Sequence, residues 1–254
     1  MRSGSIILAP LLVPLTVMAR PPPRAADCDA SSKPPAFFLA GDSTVAVDGG
    51  WGDGFLTYPR EGAWGINFGH SGATTVSFKA DGDWANLTSH VEESVAEYDV
   101  YVTIQFGHND QKEEKGISHA EFEANLEAMA TEIQELGATP ILISSLTRRT
   151  FESDNNVAQS LEIERLIAIV AAAETGSAYL DLNRASTDYV NAIGEGASHE
   201  YNYEEGDNTH LNEHGGVVFG RMVADLLLRR EECLGQYITP DEELSDKIWS
   251  GLPA

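Results

Sequence analysis

Apolar runs and segments with helical periodicity alternate along the chain from residue 37 onward. Five short apolar runs, each followed by a polar loop, are predicted to be strands: 37–40, 65–68, 100–106, 141–146 and 178–182. Apolar residues recur at helical spacing in three longer stretches, which are predicted to be helices: 121–136, 161–174 and 217–228. The alternation predicts an α/β fold with parallel strands, in which ligands bind at the carboxyl ends of the strands.

The second predicted helix shows how its faces are assigned. Leu161, Leu166, Ile169 and Val170 lie at spacings that predict an inward-facing stripe, and Gly176 follows as a termination signal. The helix is therefore expected to bury these four side chains.

The first residues form a separate segment. An apolar run of 13 residues, 6–18, follows Arg2; it is too short to span a bilayer but has the size of a signal-peptide core. We therefore predict a signal peptide at 1–19, an N-terminal extension at 20–35 and a single domain at 36–254, with a short membrane anchor as the alternative. The mature protein is then expected to be secreted, extracellular and free of the membrane.

Composition limits the partners and suggests two modifications. The formal net charge of −24 argues against nucleic acids and anionic membranes, because both are polyanions. Cys28 and Cys233 lie at opposite ends of the mature chain and are expected to form a disulfide outside the cell, with two free thiols as the alternative. Asn86 begins an N-L-T glycosylation sequon.

Three short motifs follow predicted strands. GDS places Ser43 directly after the first strand, where a tight turn can present a nucleophile, although such tripeptides also serve as ordinary turns and helix caps. NFGHSG contains Gly69, whose backbone can approach a shared site, or which simply makes a turn. GHND contains Asn109, whose amide can donate to an oxyanion, or which belongs to an Asn-Asp turn.

The stretch GDNTHLNEH, 206–214, fits two kinds of active site. Asp207 and His210 are spaced as the acid and base of a serine hydrolase, whereas His210, Glu213 and His214 match the HxxEH pattern of zinc peptidases. Two glycines directly after His214 weaken the helix that a zinc motif needs, and the chain beyond offers no convincing third ligand. The serine interpretation is therefore favoured.

The four motifs, in this order, resemble the blocks of the SGNH hydrolases, also called GDSL esterases. The resemblance implies a flavodoxin-like three-layer α/β/α sandwich with a five-stranded parallel sheet. It also implies that Ser43 is the nucleophile, His210 the base and Asp207 the residue that orients the base. The backbone amides of Ser43 and Gly69 and the side chain of Asn109 would form the oxyanion hole, and no cofactor or metal is implied.

Within that family the chain is similar to the rhamnogalacturonan acetylesterases. The similarity rests on LAGDST at 39–44, WGD at 51–53, FGHND at 106–110 and DNTH at 207–210. It implies a monomeric secreted esterase that removes acetyl groups from a plant cell-wall polysaccharide, with rhamnogalacturonan as the expected substrate. A lipase or lysophospholipase and a non-catalytic carbohydrate-binding relative are the alternatives.

Three further residues are candidates for substrate binding. Arg148 and Arg149 follow a predicted strand in a chain with only 16 basic residues, so they could meet a substrate carboxylate, or they could be two surface cations. Asp42, which directly precedes Ser43, is the third candidate.

Overall fold

The computed structural model describes residues 33–153 and 155–254. Its main sheet has five strands, all parallel, in the order β2-β1-β3-β4-β7. The predicted fold class is thereby confirmed, and the order is that of flavodoxin-like sheets. The strands are β1 (Pro35–Gly41), β2 (Trp64–Asn67), β3 (Asp99–Gln105), β4 (Thr139–Ile143), β5 (Phe151–Ser153), β6 (Asn156–Val157) and β7 (Ala178–Leu180), of which β5 and β6 form a separate antiparallel pair.

The described helices include the three that periodicity predicts and five others. They are α1 (Gly52–Phe55), α2 (Thr75–Ala80), α3 (Asp83–Ser94), α4 (His119–Glu135), α5 (Glu162–Thr175), α6 (Leu182–His199), α7 (Glu213–Arg230) and α8 (Glu242–Trp249). Helix α6 contains a kink at Gly194, where φ is 79°. No helix in the described ranges is long and apolar enough to cross a membrane.

The helices cover both faces of the sheet, as side-chain alternation in β1 shows. Phe37 and Leu39 point into one core with side chains of α1, α6 and α7, whereas Phe38 and Ala40 point into a second core with side chains of α2 to α5. Successive side chains of a strand face opposite sides of a sheet. The result is the predicted three-layer α/β/α sandwich.

The predicted inward face of α5 is wrong in part. Leu166 is 49% exposed and Val170 is 42% exposed, whereas Ile167 and Ala171 are buried against the sheet. The helix carries apolar residues on every side, so spacing alone does not decide which side faces inward.

Glycines let α1 approach the beginning of α7. A Cβ atom on Gly54 would lie 2.0 Å from the carbonyl oxygen of Gly216, and one on Gly220 would lie 2.4 Å from the backbone nitrogen of Phe55. No larger residue fits at Gly54 or Gly220 without separating the helices. This contact fixes α1, which follows the Ser43 loop, against the helix that follows the His210 loop.

Some predicted features lie outside the described residues. These are the signal peptide at 1–19, most of the N-terminal extension, and Cys28, so the Cys28–Cys233 disulfide stays a prediction. Asn86 is exposed, but it lies in α3 and not in a loop. Its glycosylation also stays a prediction.

Candidate active site

Ser43 lies on a tight turn at the carboxyl end of β1. The backbone N–H groups of Val45 and Ala46 both donate to the carbonyl oxygen of Asp42 at 3.0 Å, which folds the chain back directly after the strand. Gly41 is needed because a Cβ atom there would lie 2.3 Å from a methyl carbon of Val45. The turn therefore projects Ser43 over the edge of the sheet, where polar loops meet.

The structure brings Ser43, His210 and Asp207 together. His210 Nε2 lies 2.8 Å from Ser43 Oγ, and His210 Nδ1 lies 2.8 Å from Asp207 Oδ2. Asp207 Oδ1 accepts hydrogen bonds from the backbone N–H groups of Thr209 and His210, each at 3.0 Å. A carboxylate that orients an imidazole, which in turn contacts a serine hydroxyl, is the arrangement that activates a serine for attack.

The surroundings of Asp207 favour its ionised form. Partial burial raises its pKa, but hydrogen bonds from His210 and Thr209 and the charge of His210 outweigh burial, so the net pKa is below the ordinary value. The carboxylate is thus available to hold His210 through the Nδ1 proton.

Arg149 supports the loop that carries Asp207 and His210. Its side chain is fully buried, with Nε donating to Asn202 Oδ1 and Nη2 donating to the carbonyl oxygen of His210, both at 2.6 Å. Its backbone N–H donates to the carbonyl oxygen of Asn208 at 2.8 Å. Burial lowers the pKa of Arg149 to about 10, and the charge of Asp207 offsets part of the effect. Because the guanidinium has no exposed surface, the expectation that Arg149 binds substrate is wrong.

Arg148 remains partly exposed and contacts the neighbouring loop. Its Nη1 donates to Ser160 Oγ at 2.9 Å, and its Nη2 donates to the carbonyl oxygen of His108 at 3.4 Å. The guanidinium therefore already has partners within the protein. A contact between Arg148 and substrate stays a prediction.

Asp42 belongs to a buried chain of hydrogen bonds beneath Ser43. Its Oδ1 accepts from the backbone N–H and the hydroxyl of Thr44, at 2.9 and 2.8 Å. Thr44 Oγ1 in turn accepts from Gln105 Nε2 at 2.6 Å, and Gln105 Oε1 accepts from Trp51 Nε1 at 2.9 Å. Asp42 is fully buried, so the expectation that it contacts substrate is also wrong. It instead fixes the turn that presents Ser43.

A buried imidazole faces Asp42 from the loop after β3. His108 Nδ1 lies 3.5 Å from Asp42 Oδ2, and both side chains are buried. Burial raises the pKa of Asp42, but the charge of His108, together with the hydrogen bonds that Asp42 accepts, lowers the net value below the ordinary one. An ionised carboxylate therefore lies under the nucleophile's turn.

Asn109 has a side-chain amide suited to an oxyanion. Its Nδ2 donates to the carbonyl oxygen of Ala73 at 2.9 Å, which leaves its second N–H for another acceptor. Its Oδ1 accepts from Lys112 Nζ at 2.7 Å, so the orientation of the amide is held at both ends. Among the described residues, the hydrogen bonds of the Ser43 turn use the N–H groups of Thr44 and the residues after it, but not that of Ser43 itself.

Gly69 lies against the Ser43 turn but has an internal partner. A Cβ atom on Gly69 would lie 2.5 Å from the backbone nitrogen of Ala46, so only glycine fits. Its N–H donates to Asn67 Oδ1 at 2.9 Å. Gly69 would bind an oxyanion only by sharing or exchanging that hydrogen bond, and its place in the oxyanion hole stays a prediction.

Asn67 is a site residue that the motif analysis did not single out. Its Nδ2 donates to the carbonyl oxygen of Val45 and to Asp53 Oδ1, both at 2.8 Å, while its Oδ1 accepts from Gly69. It thus joins β2 to the Ser43 turn and to α1. The sequence signal for it was its position at a strand end, two residues before Gly69.

The HxxEH residues do not assemble a metal site. His210 directs both ring nitrogens to Ser43 and Asp207, whereas His214 is exposed and its Nε2 lies 3.0 Å from the carbonyl oxygen of Ala254. Across residues 33–153 and 155–254, no group of three or more His, Cys, Asp or Glu side chains is placed to hold a metal ion. The geometry supports the serine interpretation of the stretch.

Comparison with known proteins identifies the family. Residues 39–216 match the GDSL-like Lipase/Acylhydrolase family. The chain is 31% identical over 212 residues to the rhamnogalacturonan acetylesterase RhgT of Bacillus subtilis (strain 168), covering 76% of this chain and 89% of that protein. It is 28% identical over 201 residues to the probable rhamnogalacturonan acetylesterase YesY of the same strain, covering 74% and 89%.

Solved structures share the fold. A Bacillus subtilis protein, YXIM, superposes with a TM-score of 0.68 at 24% identity, covering 79% of this chain but only 58% of that longer one. Axe2, an acetylxylan esterase from Geobacillus stearothermophilus, superposes with a TM-score of 0.55 at 20% identity, covering 78% and 94%. By the family match and by its relatives, the chain belongs to the GDSL-like lipases and acylhydrolases, the SGNH hydrolases, and is a carboxylic ester hydrolase.

Proposed function

We propose that the protein is a secreted carbohydrate acetylesterase that acts on a plant cell-wall polysaccharide, with rhamnogalacturonan as the first candidate. The observation that carries the proposal is the hydrogen-bonded series Ser43, His210 and Asp207 at the carboxyl end of β1. The names of RhgT and YesY support the choice of substrate, and the apolar segment 6–18 supports secretion.

The reaction has two steps. In the first, His210 Nε2 takes the proton of Ser43 Oγ, which attacks the acetyl carbonyl; the ester C–O bond then breaks, and His210 gives the proton to the departing sugar oxygen. In the second, His210 takes a proton from water, whose oxygen attacks the acetyl-serine ester. Acetate leaves and the proton returns to Ser43. Asp207 holds the imidazole in one orientation throughout.

Hydrogen-bond donors are needed to stabilise the negative charge that develops on the carbonyl oxygen. The N–H of Ser43 and the second Nδ2 hydrogen of Asn109 are available for it, and Gly69 would add a third after releasing Asn67. Lys112 holds the Asn109 carbonyl at 2.7 Å, which keeps the amide in place before substrate arrives.

The test compares wild type with Ser43→Ala on p-nitrophenyl acetate and on acetylated rhamnogalacturonan, xylan and mannan. Ser89→Ala, which changes an exposed serine in α3, is the matched control. We expect wild type and the control to release acetate and Ser43→Ala to lose activity on every substrate. Equal rates for Ser43→Ala and wild type would refute the serine mechanism.

The choice of substrate is tested with the same proteins. If acetate is released fastest from rhamnogalacturonan, the proposed substrate is supported. If release is faster from xylan or mannan, that polysaccharide becomes the substrate, and the serine mechanism is unaffected. A preference for p-nitrophenyl esters of long acyl chains would instead identify a lipase-type enzyme.

A further inference from the structure

An open cleft of ≈ 310 Å³ lies beside the candidate active site. Its walls come from the loop after the Ser43 turn, from α1 and from the start of α7, and its volume is at the lower end for small-molecule pockets. The lining side chains that matter are Asp48, Asp53, Tyr203, Leu211, Glu213 and Val217.

Gly49 lies both in the wall of the cleft and beside Ser43 and His210. Gly49 lines the cleft, and a Cβ atom on it would lie 3.6 Å from both the Cβ of His210 and the carbonyl oxygen of Ser43. The carbonyl oxygen of Gly49 accepts from the N–H of Leu211 at 2.8 Å, which ties this wall to the residue after His210. A group held in the cleft would therefore lie next to, but not on, the ester that Ser43 attacks.

The turn that forms this wall is conformationally unusual. Asp48 has a φ of 56° and Gly49 has a φ of 137°, so two successive residues occupy positive-φ regions. The positive φ carries a conformational cost at Asp48, whereas glycine adopts it without steric penalty, and costly positions of this kind concentrate at functional sites. The turn keeps the cleft open because Gly49 places no side chain between the cleft and His210.

The chemistry of the walls matches a sugar. Tyr203 is 52% exposed and Val217 is 36% exposed, and together they offer an apolar surface on which the C–H face of a pyranose can rest. Asp48, Asp53 and Glu213 are exposed carboxylates that accept hydrogen bonds from hydroxyl groups. Lysine and arginine are absent from the lining, all of which lies within the described residues, so a uronate would meet only like charge.

We propose that this cleft is a subsite for a neutral sugar residue adjacent to the acetylated one. The proposal rests on the proposed function and deepens it, because it defines which glycans fit. Rhamnogalacturonan offers a neutral sugar beside each galacturonate, whereas homogalacturonan offers a carboxylate at every position. The cleft therefore favours binding of rhamnogalacturonan over homogalacturonan.

The first experiment removes the apolar wall. Tyr203→Ala, Tyr203→Phe and the control Leu252→Ala, which removes a 55% exposed apolar side chain elsewhere, are assayed on acetylated rhamnogalacturonan oligosaccharides and on p-nitrophenyl acetate. We expect Tyr203→Ala to lose about tenfold more kcat/KM on the oligosaccharides than on the small ester, the change expected for one aromatic contact. Tyr203→Phe keeps the ring and should restore most of the oligosaccharide activity.

The outcomes separate the two proposals. If Tyr203→Ala changes both substrates by the same factor, the subsite is refuted while the esterase function stands. If wild type hydrolyses neither acetate ester, the proposed function itself fails.

The second experiment removes a charge. Glu213→Gln is compared with Glu97→Gln, an exposed carboxylate before β3, on acetylated oligogalacturonides. We expect Glu213→Gln to raise kcat/KM about fivefold at low ionic strength, with a smaller gain in high salt, and Glu97→Gln to leave it unchanged. No gain for Glu213→Gln, or wild-type activity greater on oligogalacturonides than on rhamnogalacturonan oligosaccharides, overturns the preference for a neutral sugar.

Discussion

Replacing Arg149 with methionine distinguishes a residue that supports the active-site loop from one that binds substrate. Methionine fills similar space but donates nothing to Asn202 Oδ1 or to the carbonyl oxygen of His210, the two acceptors that Arg149 contacts at 2.6 Å. The loop that carries His210 would therefore lose both of these hydrogen bonds. The perturbation leaves Ser43 and its turn intact.

The magnitude follows from the two lost hydrogen bonds. Each hydrogen bond to a charged group contributes about 1.5–3 kcal/mol, so their sum is about 3–6 kcal/mol. The charge is itself costly to bury, since burial lowers the pKa of Arg149 to about 10, so we expect the lower end, about 3 kcal/mol. A shift of His210 by about 1 Å would lower kcat by about 10²-fold.

Urea unfolding and the turnover of p-nitrophenyl acetate measure these two effects. Arg148→Met is the control, because Arg148 is partly exposed and its replacement should cost less than about 1 kcal/mol. Because p-nitrophenyl acetate has no carboxylate, an arginine that only binds substrate carboxylates would not affect its turnover. Unchanged stability and kcat for Arg149→Met would therefore refute its role as loop support.

Three further predictions concern other parts of the structure. Asn109→Ala should lower kcat on p-nitrophenyl acetate by about 10²–10³-fold, and a loss below about threefold would remove Asn109 from the oxyanion hole. The folded-state pKa of Asp42 is lowered, so its carboxylate adds stability above its unfolded pKa of 3.8 and loses it as pH falls through the folded value. The stability difference between wild type and Asp42→Asn, measured by urea unfolding against pH, should thus be constant near neutrality and shrink below pH 3.8; a difference independent of pH would contradict this. Gly54→Ala should destabilise the protein by about 1–3 kcal/mol, because the added methyl group would collide with Gly216. Gly196→Ala, whose added methyl group would meet nothing within 4 Å, should be neutral or stabilising by up to about 1 kcal/mol. If thermal melting showed the same change in stability for both variants, the close contact of α1 with α7 would be refuted.

The sheet could be predicted because its three central strands, β1, β3 and β4, are buried on both faces over most of their length. Such strands form continuous apolar runs, and all five runs correspond to strands of the main sheet. Three helices were equally clear from their spacing. Helix α3 was missed although Trp84, Leu87 and Val91 lie at helical spacing and are buried, so its signal was present. Helix α6 is harder, because small and polar residues dominate it and Gly194 interrupts it.

That the candidate catalytic residues lie together could be predicted, because each lies in a short motif at a fixed place in the chain. Ser43 and Asn109 follow strands, and His210 precedes the last long helix, so topology brings them together. Their support could not be predicted in the same way. Gln105 reaches Thr44 because β1 and β3 pair with Gly41 opposite Gln105, and that register is a property of the folded sheet.

Net charge is a poor guide to this site, as two buried basic groups show. The chain has a formal charge of −24, yet Arg149 is fully buried beneath the carbonyl of His210 and His108 is buried against Asp42. From the sequence, Arg149 was expected to contact a substrate carboxylate or to be a surface cation, and its burial contradicts both expectations. In the folded protein exposed carboxylates line the cleft, whereas the pKa of Asp207 is set by burial together with His210 and Thr209, and that of Asp42 by burial together with His108 and Thr44. Charge at the surface therefore bears on which substrate approaches, and charge in the interior on how the candidate catalytic residues are held.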